Sequence, residues 1–301
     1  MSGLETPLRL AVLADIHGNL PALNAVIDDL RREWGEIEGI VVAGDFTGGP
    51  RPRETAARLR ELGCWMIRGN NEDYVLSYAD RTAPEIWWTS LQWASSRWSY
   101  RQLDEAAIDL VRSLPRQRVI DLPRAASVRV VHGSTERVDE SILPDRNADR
   151  LAELLSQTEE AVVVCGHTHI PWMRSIAGVL ALNPGSVGLP CDGDCRAHYA
   201  VLTWKGEGLT WKSGLWQAEH RVAPYDPECL RAAYDDSGFL EEGGGFARAL
   251  LMTAETGRDV GIALMAHVRD VVSQTRGERI DAVSDETWEQ AMATFPWERW
   301  K

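Results

Sequence analysis

Short apolar runs alternate with amphipathic stretches through the first two-thirds of the chain. Leu8 to Ala14 is the first run and ends at Asp15. Leu20, Leu23, Val26, Ile27 and Leu30 then recur at helical spacing, with Asn19 placed as a cap and Pro21 in the first turn. Gly39 to Ala43 is a second buried-strand pattern, ending at Gly44-Asp45. Pro52 to Leu62 predicts a helix stopped by Gly63, and Cys64 to Ile67 a third strand ending at Gly69-Asn70. This alternation predicts a layered α/β fold.

The rhythm breaks from about residue 72 to 115. Trp87, Leu91, Ala94 and Trp98 repeat at helical spacing, and so do Leu103, Ala107, Leu110 and Leu114. Two or three helices inserted into the α/β core account for this. The core pattern resumes with strands at Val128 to Val131 and Ala161 to Val164, and a helix at Ala148 to Gln157 between them. Val179 to Leu182, Tyr199 to Trp204 and Leu209 to Leu215 predict further strands, the last two joined by a Lys205-Gly206-Glu207-Gly208 hairpin. From about Val222 onward the pattern becomes helical. The expected division is therefore 1–221 as the main domain, with its insertion, and 222–301 as a helical extension.

Polar clusters sit where the apolar strands end: Asp15-Ile16-His17, Gly44-Asp45, Gly69-Asn70, His132-Gly133 and Gly166-His167-Thr168-His169. Ligands of open α/β sheets bind beyond the carboxyl ends of strands, so the clusters converge on one patch. Carboxylates and imidazoles, without a thiolate at an obvious ligand position, suit two divalent ions. Manganese is the first expectation, and iron, zinc, cobalt or nickel are compatible. Asp15 and His17 are two residues apart, as are His167 and His169; within an extended strand this would put each pair on one face, although near a strand end the chain is free to bend. One carboxylate, such as Asp45, can bridge two metals. Two metals ~3.5–4 Å apart can activate a bridging water and stabilise an in-line displacement at phosphorus. An imidazole such as His132 would stay neutral and metal-bound.

Composition narrows the partners. Formal net charge is −13, which repels nucleic acid at long range. A phosphorylated small molecule needs a local cation to offset that field, and bound metal supplies one. No apolar run reaches the length of a membrane span, and the start of the chain has no signal-like pattern, so a cytoplasmic location is expected. The 5 cysteines are an odd number spread over a large chain, which argues against a disulfide framework.

These motifs resemble the calcineurin-like metallophosphoesterase superfamily: Asp15-Ile16-His17, Gly44-Asp45, Gly69-Asn70-Asn71-Glu72, Val131-His132-Gly133 and Gly166-His167-Thr168-His169. The Asn183-Pro184-Gly185-Ser186-Val187-Gly188 run is similar to the small bacterial and archaeal phosphodiesterase branch. The resemblance implies a four-layer α-β-β-α sandwich of two mixed sheets, extended here by the helical insertion and the helical C-terminal extension. It implies that Asp15, His17 and His169 bind one metal, that Asp45 bridges, and that Asn70, His132 and His167 bind the second. The implied reaction is hydrolysis of phosphate esters, with a phosphodiester first. The alternatives are a nucleotide pyrophosphohydrolase, a protein phosphatase, or a scaffold that keeps the fold without turnover.

One position departs from the family pattern. Asn71 stands where the most frequent form has a histidine that protonates the leaving oxygen. A neutral amide has no such proton to give, although it can donate a hydrogen bond to a phosphoryl oxygen. Glu72 is then expected to lose its orienting role and simply to begin the next helix. The Trp-rich insertion reads either as core or as a lid that stacks on a nucleobase. Arg68, Arg137 and the Cys191–Cys195 loop flank the motifs and read as surface features. The acidic tail ending in Trp297 and Trp300 leaves packing on its own chain or in a homo-oligomer open.

Overall fold

The computed structural model describes residues 7–205, 216–275 and 277–300. It begins with β1 (Arg9–Leu13), α1 (Leu20–Glu33), β2 (Gly39–Val42), α2 (Pro52–Glu61) and β3 (Trp65–Met66). The insertion follows as α3 (Asn70–Ala79), α4 (Glu85–Thr89), α5 (Ala94–Gln102) and α6 (Glu105–Ser113). Then come β4 (Gln117–Leu122), β5 (Ala125–Val131), α7 (Pro144–Ser156), β6 (Val162–Val164), β7 (Trp172–Ile176) and β8 (Val179–Asn183). β9 (Ala197–Trp204) and β10 (Trp216–Ala223) complete the strands. The chain continues as α8 (Pro227–Asp236), α9 (Phe239–Glu242), α10 (Gly244–Thr256), α11 (Val260–Gln274) and α12 (Asp285–Thr294).

The strands form two mixed five-stranded sheets, ordered β10-β9-β1-β2-β3 and β4-β5-β6-β8-β7. β1, β2 and β3 are mutually parallel, and so are β5, β6 and β8. The period of two along each strand assigns its side chains to layers. Leu10, Val12 and Ala14 face Val128, Val130, Val162, Val164 and Leu182 between the sheets. Ala11 and Leu13 point the other way, into a core shared with Leu23, Val26, Ile27 and Leu30 of α1. Behind the second sheet, Val131, Val163 and Ala181 pack on Leu151, Leu154 and Leu155 of α7. The result is the expected α-β-β-α sandwich, in which parallel strands of both sheets aim their carboxyl ends at one edge.

The tail helices pack on the region around that edge. Leu230, Tyr234, Phe239 and Leu251 bury Trp98 of α5 and Leu189 of the loop after β8. Asn19 Nδ2 donates to the Tyr225 hydroxyl at 3.2 Å, and Gly193 N–H donates to the Gly257 carbonyl at 2.8 Å. Trp98 is therefore core. Trp87 and Trp93 stack on each other with ring centroids 4.0 Å apart, so each already covers a face of the other.

α5 also holds the loop after β2, which carries Asp45: Ser99 Oγ accepts the Gly48 N–H at 3.1 Å. Ser99→Ala leaves that donor without its partner and is expected to lower stability by ~1 kcal/mol, read from the urea midpoint at unchanged slope.

Two features differ from the sequence reading. β4 and β7 were not expected as strands. Both are edge strands with partly exposed faces, so neither presents a continuous apolar run. Strand structure persists through Ala223, and the helices start only at Pro227, so Val222 belongs to the sheet. The predicted Leu209 to Leu215 strand and most of its hairpin lie outside the described residues.

Candidate metal centre

Asp15 follows β1, Asp45 follows β2, Asn70 opens α3 after β3, His132 follows β5, and His167 and His169 follow β6. Parallel register within each sheet brings these strand ends to the same edge, and packing of the sheets brings the two edges together. Asp15, His17 and His169 form one group whose candidate ligand atoms all lie within 4.8 Å of one another. Asp15, Asp45 and His132 form a second such group. Asp15 belongs to both groups, and Asp45 Oδ2 also reaches toward each, 3.9 Å from His17 Nε2 and 3.4 Å from His132 Nε2. Asn70 Oδ1 is 3.1 Å from His132 Nε2. His167 stands beside His132, ring centroids 5.2 Å apart, but joins neither compact group.

Of the two geometries open to Asp15-x-His17 and His167-x-His169, extended or bent, the backbone takes the bent one. Asp15, His17, Asp45, His167 and His169 all have φ between 47° and 66°. Left-handed backbone at non-glycine residues costs roughly 1–3 kcal/mol each and persists where the surroundings over-determine it. Here the surroundings are specific. Asp15, His17 and Gly18 N–H groups donate to the Gly44, Asp45 and Phe46 carbonyls at 3.0–3.1 Å, tying the loops after β1 and β2 together. Glycines let the backbones close in. A Cβ on Gly69 would lie 2.1 Å from Asp45 Oδ1, and one on Gly44, at φ 87°, would lie 2.8 Å from His132 Nδ1.

Neighbouring side chains complete the scaffold. Glu72 corrects the expectation that it merely begins a helix. It is fully buried, and its carboxylate accepts Asp45 N–H at 2.8 Å, Thr47 N–H at 2.9 Å, Thr47 Oγ1–H at 2.8 Å and Gly69 N–H at 2.8 Å. One carboxylate thus joins the loops after β2 and β3. Asn183 Nδ2 donates to the Gly166 carbonyl at 2.6 Å, and Ser186 Oγ donates to the Asp15 carbonyl at 2.6 Å. The signal for both is the Asn183-Pro184-Gly185-Ser186 turn after a strand, to which no site role had been given. Arg68 pairs with Asp73 and Arg137 with Asp139, so both are engaged by carboxylates. Cys191 Sγ lies 3.9 Å from His169 Nδ1, at the site's flank rather than free in solvent.

The donor set fits divalent cations. His132 Nδ1 is 2.8 Å from the Ala43 carbonyl, and His169 Nδ1 is 2.8 Å from the Leu189 carbonyl. A carbonyl only accepts, so each Nδ1 carries hydrogen and each neutral ring turns its Nε2 lone pair inward. The His132 lone pair meets other acceptors, the Asn70 and Asp45 oxygens, and His169 Nε2 faces Asp15 Oδ1 at 3.4 Å and His17 Nε2 at 3.2 Å. Acceptors turned on one another in a buried site repel unless a cation lies among them. Without metal, protons take that part. Burial opposes charge on His132, yet Asp45 and Asp15 push it up to about 9. Burial likewise opposes charge on His169, and Asp15 outweighs it. Burial and the neighbouring His169 hold His17 down to about 4. Burial alone would raise Asp15 and Asp45, but His169 and His132 respectively hold them low.

Asn71 sits at the rim of this cluster. Its backbone N–H donates to Asp45 Oδ1 at 2.9 Å and its amide to Asp45 Oδ2 at 2.5 Å. The amide is therefore beside the Asp45 carboxylate, as a hydrogen-bond donor that has no acid proton to supply.

Comparison with known proteins gives the family and its relatives. The family model described as "Calcineurin-like phosphoesterase superfamily domain" matches residues 8–207. The uncharacterized protein MJ0912 of Methanocaldococcus jannaschii is 28% identical over 223 residues, covering 65% of this chain and 83% of that protein. Phosphodiesterase YfcE of Escherichia coli is 26% identical over 209 residues, covering 65% of this chain and 87% of that protein. The crystal structure of a metallophosphoesterase from Sphaerobacter thermophilus aligns with TM-score 0.66 at 25% identity, covering 84% of this chain and 100% of that one.

Proposed function

The chain belongs to the calcineurin-like phosphoesterase superfamily, and from that membership we propose that it is a phosphodiesterase dependent on two divalent metal ions. The observation that carries the reading is the pair of compact carboxylate–imidazole groups that share Asp15, with Asp45 Oδ2 within 4 Å of an imidazole nitrogen of each. In this reading Asp15, His17 and His169 hold one ion, Asp45 is shared, and Asn70, His132 and His167 hold the other. Manganese is the preferred ion, with iron, zinc, cobalt or nickel as substitutes. When bound, the ions supply positive charge for the phosphoryl oxygens and lower the pKa of a water at the site. The chain's own work is positional. Ala43 and Leu189 carbonyls keep His132 and His169 in the ligand tautomer, and Glu72 holds the Asp45 loop.

The test is hydrolysis of bis(p-nitrophenyl) phosphate by the chelator-treated protein before and after manganese is restored. Turnover that appears with the metal supports the reading. Its absence with manganese, cobalt, nickel and zinc alike overturns it in favour of a scaffold.

Substrate preference follows from Asn71. Without a general acid at this position, esters with good leaving groups are turned over best, and unactivated alkyl monoesters worst. Asn71→His is expected to raise turnover of an alkyl phosphate monoester by about a hundredfold, the lower end of what general acid catalysis contributes, while changing aryl diesters little. Side-by-side kcat/KM values on the two substrate types check this, and equal gains on both would sink it. The insertion and the α8–α9 part of the tail are the segments we assign to substrate choice, because Trp98, Leu230, Tyr234 and Phe239 pack with Leu189, whose carbonyl meets His169.

A further inference from the structure

We infer that a cavity of about 840 Å³ between α8, α10 and the C-terminal tryptophans is a second ligand site, shaped for a small molecule joining one anionic group to an apolar body. It is lined by Arg231, Arg248, Leu251, Met292, Trp297 and Trp300, among others. All of its lining comes from residues 227–300, so it contains none of the metal-centre residues. The cavity is open to solvent on the side of Arg231 and Arg248, so a solute can enter it. A space of this size lies in the ~300–1,000 Å³ range of small-molecule pockets.

The charges on its wall specify the ligand. Arg231 is paired with Glu255. Arg248 is exposed, and its guanidinium carbon lies 4.2 Å from the Trp297 ring centroid. Arg248 forms no ion pair or hydrogen bond with protein among the described residues; its partner is the indole face. Stacking of this kind restrains a guanidinium and leaves its planar fork of N–H donors for an anion. Within a chain of net charge −13, two arginines against one glutamate make this wall locally cationic. The indole is itself fixed, since Trp297 Nε1 donates to the Met292 carbonyl at 3.0 Å. Leu251, Met252, Met292 and Trp300 supply the apolar remainder of the wall. A carboxylate, sulfonate or phosphate would sit on Arg248, and its hydrocarbon or aryl body would fill the space behind.

The experiment is isothermal titration of the full-length, manganese-loaded protein with 1-octanesulfonate, in parallel with neutral 1-octanol. Saturable binding of one sulfonate per chain is expected, with 1-octanol weaker by about tenfold or more because it lacks the charge-assisted hydrogen bonds. Arg248→Gln, a surface substitution that should leave the fold intact by circular dichroism, is expected to weaken sulfonate binding by about tenfold, and Arg248→Lys to fall between. Neither variant should alter hydrolysis of bis(p-nitrophenyl) phosphate, which separates this site from the proposed catalytic one. Absence of saturable binding up to ~1 mM, or binding that Arg248→Gln leaves unchanged, overturns the proposal. So does co-sedimentation with phosphatidic acid vesicles without binding of the soluble sulfonate, because the occupant would then be a lipid surface.

Discussion

Asp45→Asn is expected to cut manganese-dependent hydrolysis of bis(p-nitrophenyl) phosphate by about a thousandfold, equivalent to ~4 kcal/mol of transition-state stabilisation, while the protein stays folded. The substitution conserves shape and keeps one oxygen for the Asn71 N–H, which now reaches Asp45 Oδ1 at 2.9 Å. What it removes is the negative charge between His17 and His132. The second carboxamide position cannot serve as an anionic ligand, so a shared cation site becomes an unshared one. The measurement is kcat/KM at saturating manganese, alongside circular dichroism and a urea midpoint. Activity within tenfold of wild type would remove Asp45 from the role assigned to it.

Glu72→Ala is expected to cost ~3–5 kcal/mol of stability, the largest structural effect predicted for a single side chain near the site. Its carboxylate collects the N–H groups of Asp45, Thr47 and Gly69 and the Thr47 hydroxyl in a fully buried position. Removing it leaves four donors without an acceptor. Burial and the nearby Asp45 charge push Glu72 up to about 7, and the donors are what oppose them. Glu72→Gln preserves volume and one carbonyl oxygen but turns an NH2 toward donors, so it should fall between wild type and Ala. Because the Asp45 loop is anchored here, apparent metal affinity should also drop by about 10–100-fold in the Gln variant. Urea unfolding reads the first effect and metal titration the second. A Glu72→Ala protein as stable as wild type would show that the two loops hold their shape without this carboxylate.

Much of the site was readable in one dimension because strand ends are punctuated. A buried strand is a short apolar run, and the first polar residue after it marks its carboxyl end. Asp15, Asp45 and His132 could be found that way. His17, His167 and His169 follow from the same strand-end clusters and their order, at positions where the chain is free to bend. They converge through left-handed turns, not along an extended strand. Asn70 rested on the family resemblance, and the structure sets its Oδ1 3.1 Å from His132 Nε2. Glu72 was misread because its partners lie 25–27 positions away in the sequence, at Thr47 and Asp45. β4 and β7 escaped notice because an edge strand needs only one dry face.

The sequence by itself determined the layer order and the chemistry of the centre. Hydrophobic period assigns residues to faces, and a donor set of carboxylates and imidazoles cannot be anything but hard or borderline in its metal preference. Tertiary structure alone decided which of those donors meet, how the loops are locked, and where the tail goes. Each of these depends on contacts between segments distant in sequence: sheet against sheet, Glu72 on the Asp45 loop, Phe239 on Trp98. Local propensity carries no information about such pairings. The cavity beside Arg248 is of the same kind. No motif announces it, and it exists only because α8, α10 and the final tryptophans fail to close on one another.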